Sequence, residues 1–557
     1  DVERSRGLGD VYKRQIQETK TLEAVMNRDC GYRYSICPQE FVKIPGTSIA
    51  YWLRPEAINV FEDGSPLSEN AAVITKGIFT GDNNRFLRLW FEVDYKDIGV
   101  AKWNLYCKGG AFRRWYGNID YVVLWENDEG SLRNYPKSGL GASKYFGKES
   151  FVWSKITNSL MSFRVNPTNV YFDDASPAVV FESELNYYLL GLMNSKPIQY
   201  YLDLLSPTMN NQIGDIRKVP VLFATENIDE IVALVKENIE LAQNDYDSNE
   251  LSFAFKRFPL LEVKFPTVQE SIEACKKKRN GMRLRMKENE ERINEILINV
   301  YGLEGEVTPT VDDEYVSIND FSENELVKQL ISYAVGCMFG RYSLKQEGIV
   351  CTNSNCEISE EMYGPFLPDE DNIIPITDDE YFKDDIVGRF VEFIRVVYGE
   401  AQLEENLRYI AGRLGAKGST PRAIIRNYFL DSFYKDHCDS YTSRGSGKRP
   451  IYWLFDSGKK GGFKCLTYIH RYKPDLLARI RTDYVHEQQA RYRTAIADLE
   501  TRIVNASTSE RVKLNKQLKT LNDQATEIHE YEEKIHHLAD QMISIDLDDG
   551  VKANYAI

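Results

Sequence analysis

Apolar and polar positions follow different patterns in the two parts of the chain. Between residues 55 and 225, apolar runs of four to six residues, such as 121–125, are bounded by glycine and other turn formers, a pattern typical of β-strands. The stretch ends with an apolar run of helical spacing at 187–195 and a proline-bearing edge strand near Pro220. We therefore predict a mixed α/β domain over residues 55–225.

After residue 226 the apolar positions recur every three or four residues, which predicts helices. They divide into a helical spacer over 226–324, a mostly helical domain over 325–482, and a hairpin with a tail over 483–557. Ser507 and Glu510 have capping-box spacing at the turn of the hairpin. Residues 16–54 form a polar junction. The predicted fold class is α+β: a mixed domain, helical domains, and an antiparallel helical hairpin or coiled coil.

The composition favours folded domains inside the cell. Hydrophobic residues make up 43% of the 557 positions, and the length exceeds what one core usually organises. The nine cysteines are an odd set without regular spacing, which predicts reduced thiols. No run approaches the roughly 18 apolar residues that cross a bilayer. We therefore predict a cytoplasmic protein with no membrane contact.

The net charge of -15 opposes binding to a polyanion, so the local distribution of charge decides this question. Residues 76–164 contain fourteen Lys/Arg against nine Asp/Glu, together with eighteen aromatic residues and five of the seven tryptophans. Basic side chains among aromatic ones suit a nucleic-acid surface. The tryptophans themselves are more often core, and we expect at least three of the five to be buried.

Two loops in this basic interval are candidates for DNA contact. Residues 76–88 are flanked by glycine and rich in Asn and Arg, which can contact adenine and guanine edges; the alternative is an Asx-rich turn in which Asp82 and Asn83 bond local backbone. In residues 108–117, paired arginines follow two glycines. This pattern favours phosphate contacts by Arg113 and Arg114, and a solvated turn is the alternative.

No catalytic centre is evident. The six histidines lack zinc-ligand spacing, and Cys351 with Cys356 has no second pair to complete a four-ligand site, so no metal is predicted. P-loop and nucleophile-elbow motifs do not occur. An amino-methyltransferase needs a glycine-rich cofactor turn and an Asn/Asp-Pro-Pro-aromatic tetrapeptide, and the sequence contains neither.

Several strings, taken in order, resemble the PglX-type adenine-specific DNA methyltransferases, also called BrxX, of BREX phage-defence systems. Each string is short, but their number and order make the resemblance specific. The strings are IPG (44–46), AYW (50–52), TGDNNRFLRLW (80–90), KGG (108–110), RWYG (114–117), WSKIT (153–157), LLSPTMN (204–210), AVGCMFGRYSL (334–344), DEDNIIP (369–375), KRPIYW (448–453) and DLDDGVK (546–552).

The resemblance implies a function for each region. In that family a methyltransferase domain that uses S-adenosyl-L-methionine precedes this region and produces N6-methyladenine, while residues 55–225 correspond to the DNA target-recognition domain. The cofactor site would lie outside this chain, which alone is expected to be inactive. The expected partners are double-stranded DNA and other BREX proteins. The predicted DNA-binding residues are Lys76, Thr80, Asp82, Asn83, Asn84, Arg85, Arg88, Lys108, Arg113, Arg114, Lys155, Thr157, Asn210 and Gln212, with Asn211 beside the last two.

Two other functions stay open at this point. The chain could be a non-catalytic scaffold whose hairpin docks other BREX components, or the specificity part of a fused restriction-modification enzyme, although no nuclease carboxylate–lysine cluster is apparent. Residues 1–15 are treated separately, because GDVYKRQ at 9–15 looks like a translated sequencing adapter. We expect these residues to be an assembly artefact that preceded the natural sequence.

Overall fold

The computed structural model describes residues 17–27, 29, 30, 34, 36–71, 73–100, 102–125, 130–206, 208–443 and 447–555. The expected artefact at residues 1–15 lies outside this part of the chain. None of the helices in the described residues is long and apolar enough to span a membrane.

The described strands are short, and most belong to the first half of the chain. They are β1 (Ser65–Pro66), β2 (Ile74–Thr75), β3 (Leu87–Leu89), β4 (Trp103–Cys107), β5 (Trp115–Tyr116), β6 (Tyr121–Leu124), β7 (Ser150–Trp153), β8 (Phe163–Asn166), β9 (Val170–Phe172), β10 (Ala178–Val180), β11 (Pro220–Val221), β12 (Ile374–Pro375), β13 (Thr442–Ser443), β14 (Gly447–Lys448), β15 (Tyr452–Asp456) and β16 (Lys464–Tyr468).

The longer helices dominate the second half, and residues 17–26 are also helical. Those with eight or more residues are α1 (Pro55–Asp63), α2 (Leu185–Asn194), α3 (Lys196–Leu205), α4 (Ile228–Asp247), α5 (Val268–Tyr301), α6 (Glu323–Met338), α7 (Ile386–Tyr398), α8 (Leu403–Arg413), α9 (Pro421–Tyr428), α10 (His486–Asn505) and α11 (Thr508–Ala539). Shorter α-helices are Leu67–Asn70, Asn83–Phe86, Gly130–Arg133, Ile213–Ile216, Glu360–Tyr363, Tyr434–Ser440, Leu476–Arg479 and Val551–Asn554.

The mixed domain, residues 55–225, contains two larger sheets. One has the strand order β2-β10-β7-β8-β5 and the other β3-β6-β4-β9. Most pairs are antiparallel, whereas β4 with β9 and β5 with β8 are parallel. The small pair β1–β11 contains Pro220, as expected of a proline at a sheet edge. Because buried strands are short and bounded by turns, many loops emerge from this domain.

Helices α4 and α5 pack directly on the mixed domain. Ile231 and Val235 of α4 lie so close to α2 that a Cβ at Gly191 would be 2.6 Å from Val235 Cγ2. The second half of α5, including Met286 and Leu297, belongs to the same hydrophobic core. Helix α5 begins with a capping box at Thr267, and Gly302 caps its end with a φ of 61°. The predicted helical spacer therefore forms a layer on the mixed domain.

The helical domain, residues 325–482, has its own core around Leu330, Phe390 and Ile394, and a three-stranded sheet in the order β12-β16-β15. Trp90 and Trp103 of the mixed domain are part of that same core. Because two large aromatic residues of one domain are buried with the other, the two domains are closely packed.

Helices α10 and α11 form the predicted antiparallel hairpin. Ser507 and Glu510 make the capping box at its turn, as their spacing predicts. The buried residues of α11 are Gln524, Ile528, Ile535 and Ala539. The base of the hairpin is therefore packed against the helical domain, while the half near the turn is solvated.

The α+β fold class is confirmed, and so is the burial of the tryptophans: Trp90, Trp103, Trp115 and Trp153 are each at most 1% exposed. The prediction that the cysteines are reduced thiols is corrected for one pair. Cys351 and Cys356 form a disulfide in this structure, with their Cα atoms 5.4 Å apart, because the intervening turn brings two residues of separation five together.

Candidate nucleic-acid interface

Five loops of the mixed domain meet at one edge, and we call this surface the loop face. Its members are residues 76–82, 137–141, 155–159, 173–176 and 208–212. Phe79 exchanges backbone hydrogen bonds with Gly139, and the Asp174 amide donates to the Ile78 carbonyl at 2.9 Å. The Lys155 amide donates to Ala175 at 2.9 Å, and its carbonyl accepts from Asn211 at 2.7 Å. Backbone bonds thus hold five separate segments in one surface.

Glycines at 77 and 81 permit this close approach. A Cβ at Gly77 would be 1.9 Å from the carbonyl oxygen of Phe172, and one at Gly81 would be 2.5 Å from that of Lys137. Gly81 also has a φ of 68°, in the left-handed region that favours glycine. The glycine-flanked loop predicted at residues 76–88 is therefore fixed by backbone contacts with its neighbours.

The loop face combines exposed cations, amides and apolar side chains. Lys76 and Lys137 are exposed, and neither has an ion-pair partner within the described part of the chain. Asn210 and Gln212 are exposed amides. Phe79 (58% exposed), Ile156 (69%) and Met209 (65%) are large apolar residues on the same loops. Cations can neutralise phosphates, and amides can contact base edges, so the composition of this face suits duplex DNA.

Lys155 and Thr157, two of the predicted DNA-binding residues, lie inside the loop face, and their side chains are engaged by neighbouring residues of that face. Lys155 Nζ lies 3.1 Å from Asp174 Oδ2. Thr157 Oγ1 accepts from the Ser159 amide at 3.1 Å, which makes a local turn. Asn211 is 4% exposed, so its side chain is not part of the surface. Lys155 and Thr157 therefore shape the face, and the exposed polar groups next to them are Asn210 and Gln212.

The predicted residues of the loop at 76–88 separate into those engaged in local hydrogen bonds and those that are exposed. Asp82 caps the helix Asn83–Phe86 by accepting from the Arg85 amide at 3.2 Å, and Thr80, 3% exposed, donates to Asn83 Oδ1 at 2.6 Å. The local Asx-turn alternative is thus correct for Asp82. Burial removes Thr80 from the residues that can contact DNA. The Arg85 guanidinium is exposed and lies 5.3 Å from the centre of the Tyr135 ring.

The exposed part of this loop opens on a groove between the mixed domain and the helical domain. Two neighbouring cavities, about 340 and about 380 Å³ in volume, share Leu89, Lys108 and Tyr121 and together form the groove. The predicted residues on its wall are Asn83, Asn84, Arg88 and Lys108, and residues from elsewhere include Glu92, Thr442, Arg449, Asp549 and Lys552. The groove is lined by four cations and three carboxylates, so its lining has a small excess of positive charge.

Arg113 and Arg114 do not belong to either surface. Arg114 is 5% exposed, and its Nη1 donates to Glu290 Oε2 at 2.8 Å. Arg113 Nη2 donates to Asp245 Oδ2 at 2.7 Å. The two carboxylates come from α5 and α4. A guanidinium that is neutralised inside the protein cannot reach a phosphate, so the prediction of phosphate contacts is corrected for this pair.

The C-terminal segment, Asp546–Asn554, contributes to the groove in a way that sequence analysis missed. Asp548 Oδ1 accepts from the Trp103 indole at 2.7 Å, and its backbone oxygen accepts from Arg88 Nε at 2.9 Å. The Val551 amide donates to Glu92 at 2.9 Å. The only local signal is the turn-forming string at 546–550. Its partners are more than 440 residues away, so no sequence spacing could identify them.

One group of three carboxylates in the described residues, Asp369, Asp371 and Asp384, lies close enough together to hold a metal ion. Burial and the neighbouring Asp371 carboxylate raise the pKa of Asp369 to about 8. The Tyr484 hydroxyl lies 2.6 Å from Asp384 Oδ2 and 3.0 Å from Asp371 Oδ2, and it can donate its single proton to either carboxylate. The oxygens are thus engaged by protein hydrogen bonds, and nothing at the cluster identifies a cation.

The fold and the candidate interface together define an α+β protein whose loop-bearing domain is covered by helical layers. No family model matches the chain. Adenine-specific methyltransferase PglX of Lacticaseibacillus casei (strain Zhang) is 34% identical over 576 residues, which cover 99% of this chain and 47% of the relative. Adenine-specific methyltransferase BrxX of Escherichia coli O9:H4 (strain HS) is 36% identical over 553 residues, covering 93% of this chain and 45% of the relative.

The resemblance predicted from the sequence is therefore confirmed: nearly the whole chain is similar to about half of a PglX/BrxX-type adenine-specific methyltransferase. The chain spans about half the length of the curated relatives it matches.

Proposed function

We propose that this chain is the DNA target-recognition portion of a site-specific adenine-N6 methyltransferase of a BREX system. The observation that supports it most is the loop face, where five backbone-linked loops present exposed lysines and amides together. The names of the relatives supply the reaction class. The groove lined by Arg88 and Lys108 extends the surface on which a polyanion can lie.

The residues present do not fit S-adenosyl-L-methionine, the cofactor expected for the parent enzyme. Its usual site is a glycine-rich turn that leads from a parallel strand into a helix. In the described residues, the parallel pairs are β4–β9 and β5–β8, and none of the four strands leads through such a turn into a helix. We therefore assign no part of the methyl transfer to this chain. Contact with other BREX proteins stays a prediction.

The experiment is enrichment of bound duplexes from a random pool with the 557-residue chain, followed by titration of the enriched site. Replacing Asn210 and Gln212 together by Ala should reduce the preference for the enriched site, because each good amide–base contact contributes about 1–3 kcal/mol of discrimination. Replacing Lys76 and Lys137 by Gln should instead weaken binding to all sequences and lower the salt slope by up to about 2.

The matched control is Asn355→Ala with Gln346→Ala, two exposed amides of the helical domain outside the loop face, which should leave the preference unchanged. A pool without any enriched sequence would contradict the proposed function. Equal loss of preference in the control and the Asn210/Gln212 variant would remove the loop face from the recognition surface.

A further inference from the structure

The half of the hairpin nearest its turn, residues 493–520, is solvated on nearly all sides, and we call it the hairpin tip. The side chains of the described tip residues form hydrogen bonds only with other residues of the hairpin. For example, Arg511 Nε donates to the Ile503 carbonyl at 3.1 Å. Leu499 is its buried apolar residue, and the exposed valines are Val504 (71%) and Val512 (70%). The tip thus contributes little to the rest of the fold.

Charge is separated along the hairpin. The tip has six Lys/Arg against three Asp/Glu, whereas residues 521–540, the continuation of α11 toward the base, have one lysine against six carboxylates. The tip therefore has a net charge of +3, in a chain whose net charge is -15. A helix face that is merely solvated usually mixes both signs along its length.

The acidic residues of the tip are mostly engaged locally, whereas its three lysines are not. Asp498 lies 3.5 Å from Arg502, and the Glu510 carboxylate accepts from the Ser507 hydroxyl at 2.7 Å. Lys513, Lys516 and Lys519 are exposed and have no ion-pair partner among the residues that the structure describes. The unneutralised charge of the tip therefore lies on α11.

The three lysines share one side of the helix. At about 100° per residue, positions 513, 516 and 519 fall within a sector of roughly 120°. Leu514, Leu518 and Leu521, which face α10, lie on the opposite side. With a rise of 1.5 Å per residue, the lysines span about 9 Å. Each strand of duplex DNA has one phosphate per about 3.4 Å of axis, so this spacing allows several simultaneous phosphate contacts.

We propose that the hairpin tip binds the phosphate backbone of duplex DNA, outside the sequence contacted by the loop face. This rests on the proposed function for the presence of DNA, and it adds a second, sequence-independent contact surface. The charge of the tip is complementary to a polyanion, whereas the chain as a whole has a net charge of -15. Lysine, with its hydrated point charge, suits contacts that carry no sequence information.

The test compares the chain with K513Q/K516Q/K519Q in binding a non-specific duplex at several salt concentrations. Three lost phosphate contacts should lower the slope of log K against log salt by up to about 2.7. The matched control, K417Q/K459Q/K534Q, removes three exposed lysines elsewhere and should retain the slope. K513R/K516R/K519R keeps the charge and should also retain it. Unchanged circular dichroism and thermal midpoint establish that the variants are folded.

A slope in K513Q/K516Q/K519Q equal to that of the control would overturn the proposal. The proposal would also be overturned if K513Q/K516Q/K519Q lost a co-purifying protein but bound DNA as before. That result would make the tip a protein-docking surface. The outcome is separable from that for the proposed function. If the chain enriches one sequence but the tip variant has an unchanged salt slope, the proposed function stands and this inference fails. If the chain enriches no sequence but the salt slope depends on the tip lysines, only this inference stands.

Discussion

Arg114 of the mixed domain and Arg341 of the helical domain are buried in different ways. In the mixed domain, Arg114 is 5% exposed and forms an ion pair with Glu290 of α5. In the helical domain, Arg341 is 1% exposed and donates to the hydroxyls of Tyr342 at 3.0 Å and Tyr468 at 3.1 Å. No carboxylate forms an ion pair with Arg341 in the described part of the chain. Arg114 is thus neutralised by a carboxylate of the neighbouring layer, whereas Arg341 is held by neutral polar groups.

The titratable groups near these two arginines respond to pH in opposite directions. Burial raises the pKa of Glu290 above its ordinary value of 4.5, against the effect of Arg114, so its contribution to stability falls as the pH rises above that value. Burial lowers the pKa of His437 to about 3 and that of His470 to about 4. Their contribution is complete above pH 6.5, the value expected in the unfolded chain, and is lost as the pH falls.

The largest expected effect comes from breaking the ion pair of the mixed domain. Glu290→Gln leaves the Arg114 charge buried without its counterion and should lower the free energy of unfolding by about 3 kcal/mol. Urea unfolding followed by tryptophan fluorescence measures it. Glu288→Gln, at a position with 69% of the side chain exposed, is the matched control and should change little. An unchanged urea midpoint for Glu290→Gln would mean that the pair does not hold α5 on this domain.

The second prediction concerns the neutral histidine of the helical domain. His437 is 3% exposed, and its Nε2 accepts from the Tyr452 amide at 3.2 Å. Between pH 7 and pH 5, protonation of the unfolded chain at this residue should cost the native state about 2 kcal/mol. His437→Gln should therefore lose about that much less stability over the same range. His529→Gln, with 68% of its side chain exposed, should follow the wild-type pH curve. Parallel curves for all three proteins would exclude a buried neutral His437.

The smallest expected effect lies at the contact between the mixed domain and the C-terminal segment. Asp548→Ala removes the acceptor of the Trp103 indole and the ion-pair partner of Lys102. The loss should be about 1–2 kcal/mol and confined to the C-terminal segment, so amide hydrogen exchange at Val551 should accelerate about tenfold. Asp549→Ala, at an exposed neighbouring position, should leave that rate unchanged. Equal acceleration in both variants would show that the segment is not held through Asp548.

Local sequence patterns predicted the elements because helices and turns depend on nearby residues. The helices predicted within 226–324 are observed as α4 and α5, with Gly302 at the end of α5, and the capping box at Ser507 is observed as its spacing indicates. The strand predicted at 121–125 is observed at Tyr121–Leu124. Each of these predictions rested on periodicity, capping or turn residues within a few positions.

The candidate interface was predictable only in part. The glycines at 77 and 81 indicated a tight loop, and Asn83, Asn84, Arg88 and Lys108 do line a groove. The paired arginines at 113 and 114 have the same local pattern as a phosphate-binding turn. Only their partners on α4 and α5, more than 130 residues away, distinguish a buried ion pair from an exposed one.

The sequence by itself thus determined the α+β class, the burial of the tryptophans, the capping box at the turn of the hairpin and the likeness to PglX/BrxX-type methyltransferases. The tertiary structure decided which charges are exposed, that α4 and α5 cover the mixed domain, and that the C-terminal segment completes the groove. The physical reason is that helix periodicity and capping act over a few residues, whereas burial and ion pairing depend on contacts between segments that are distant in the chain.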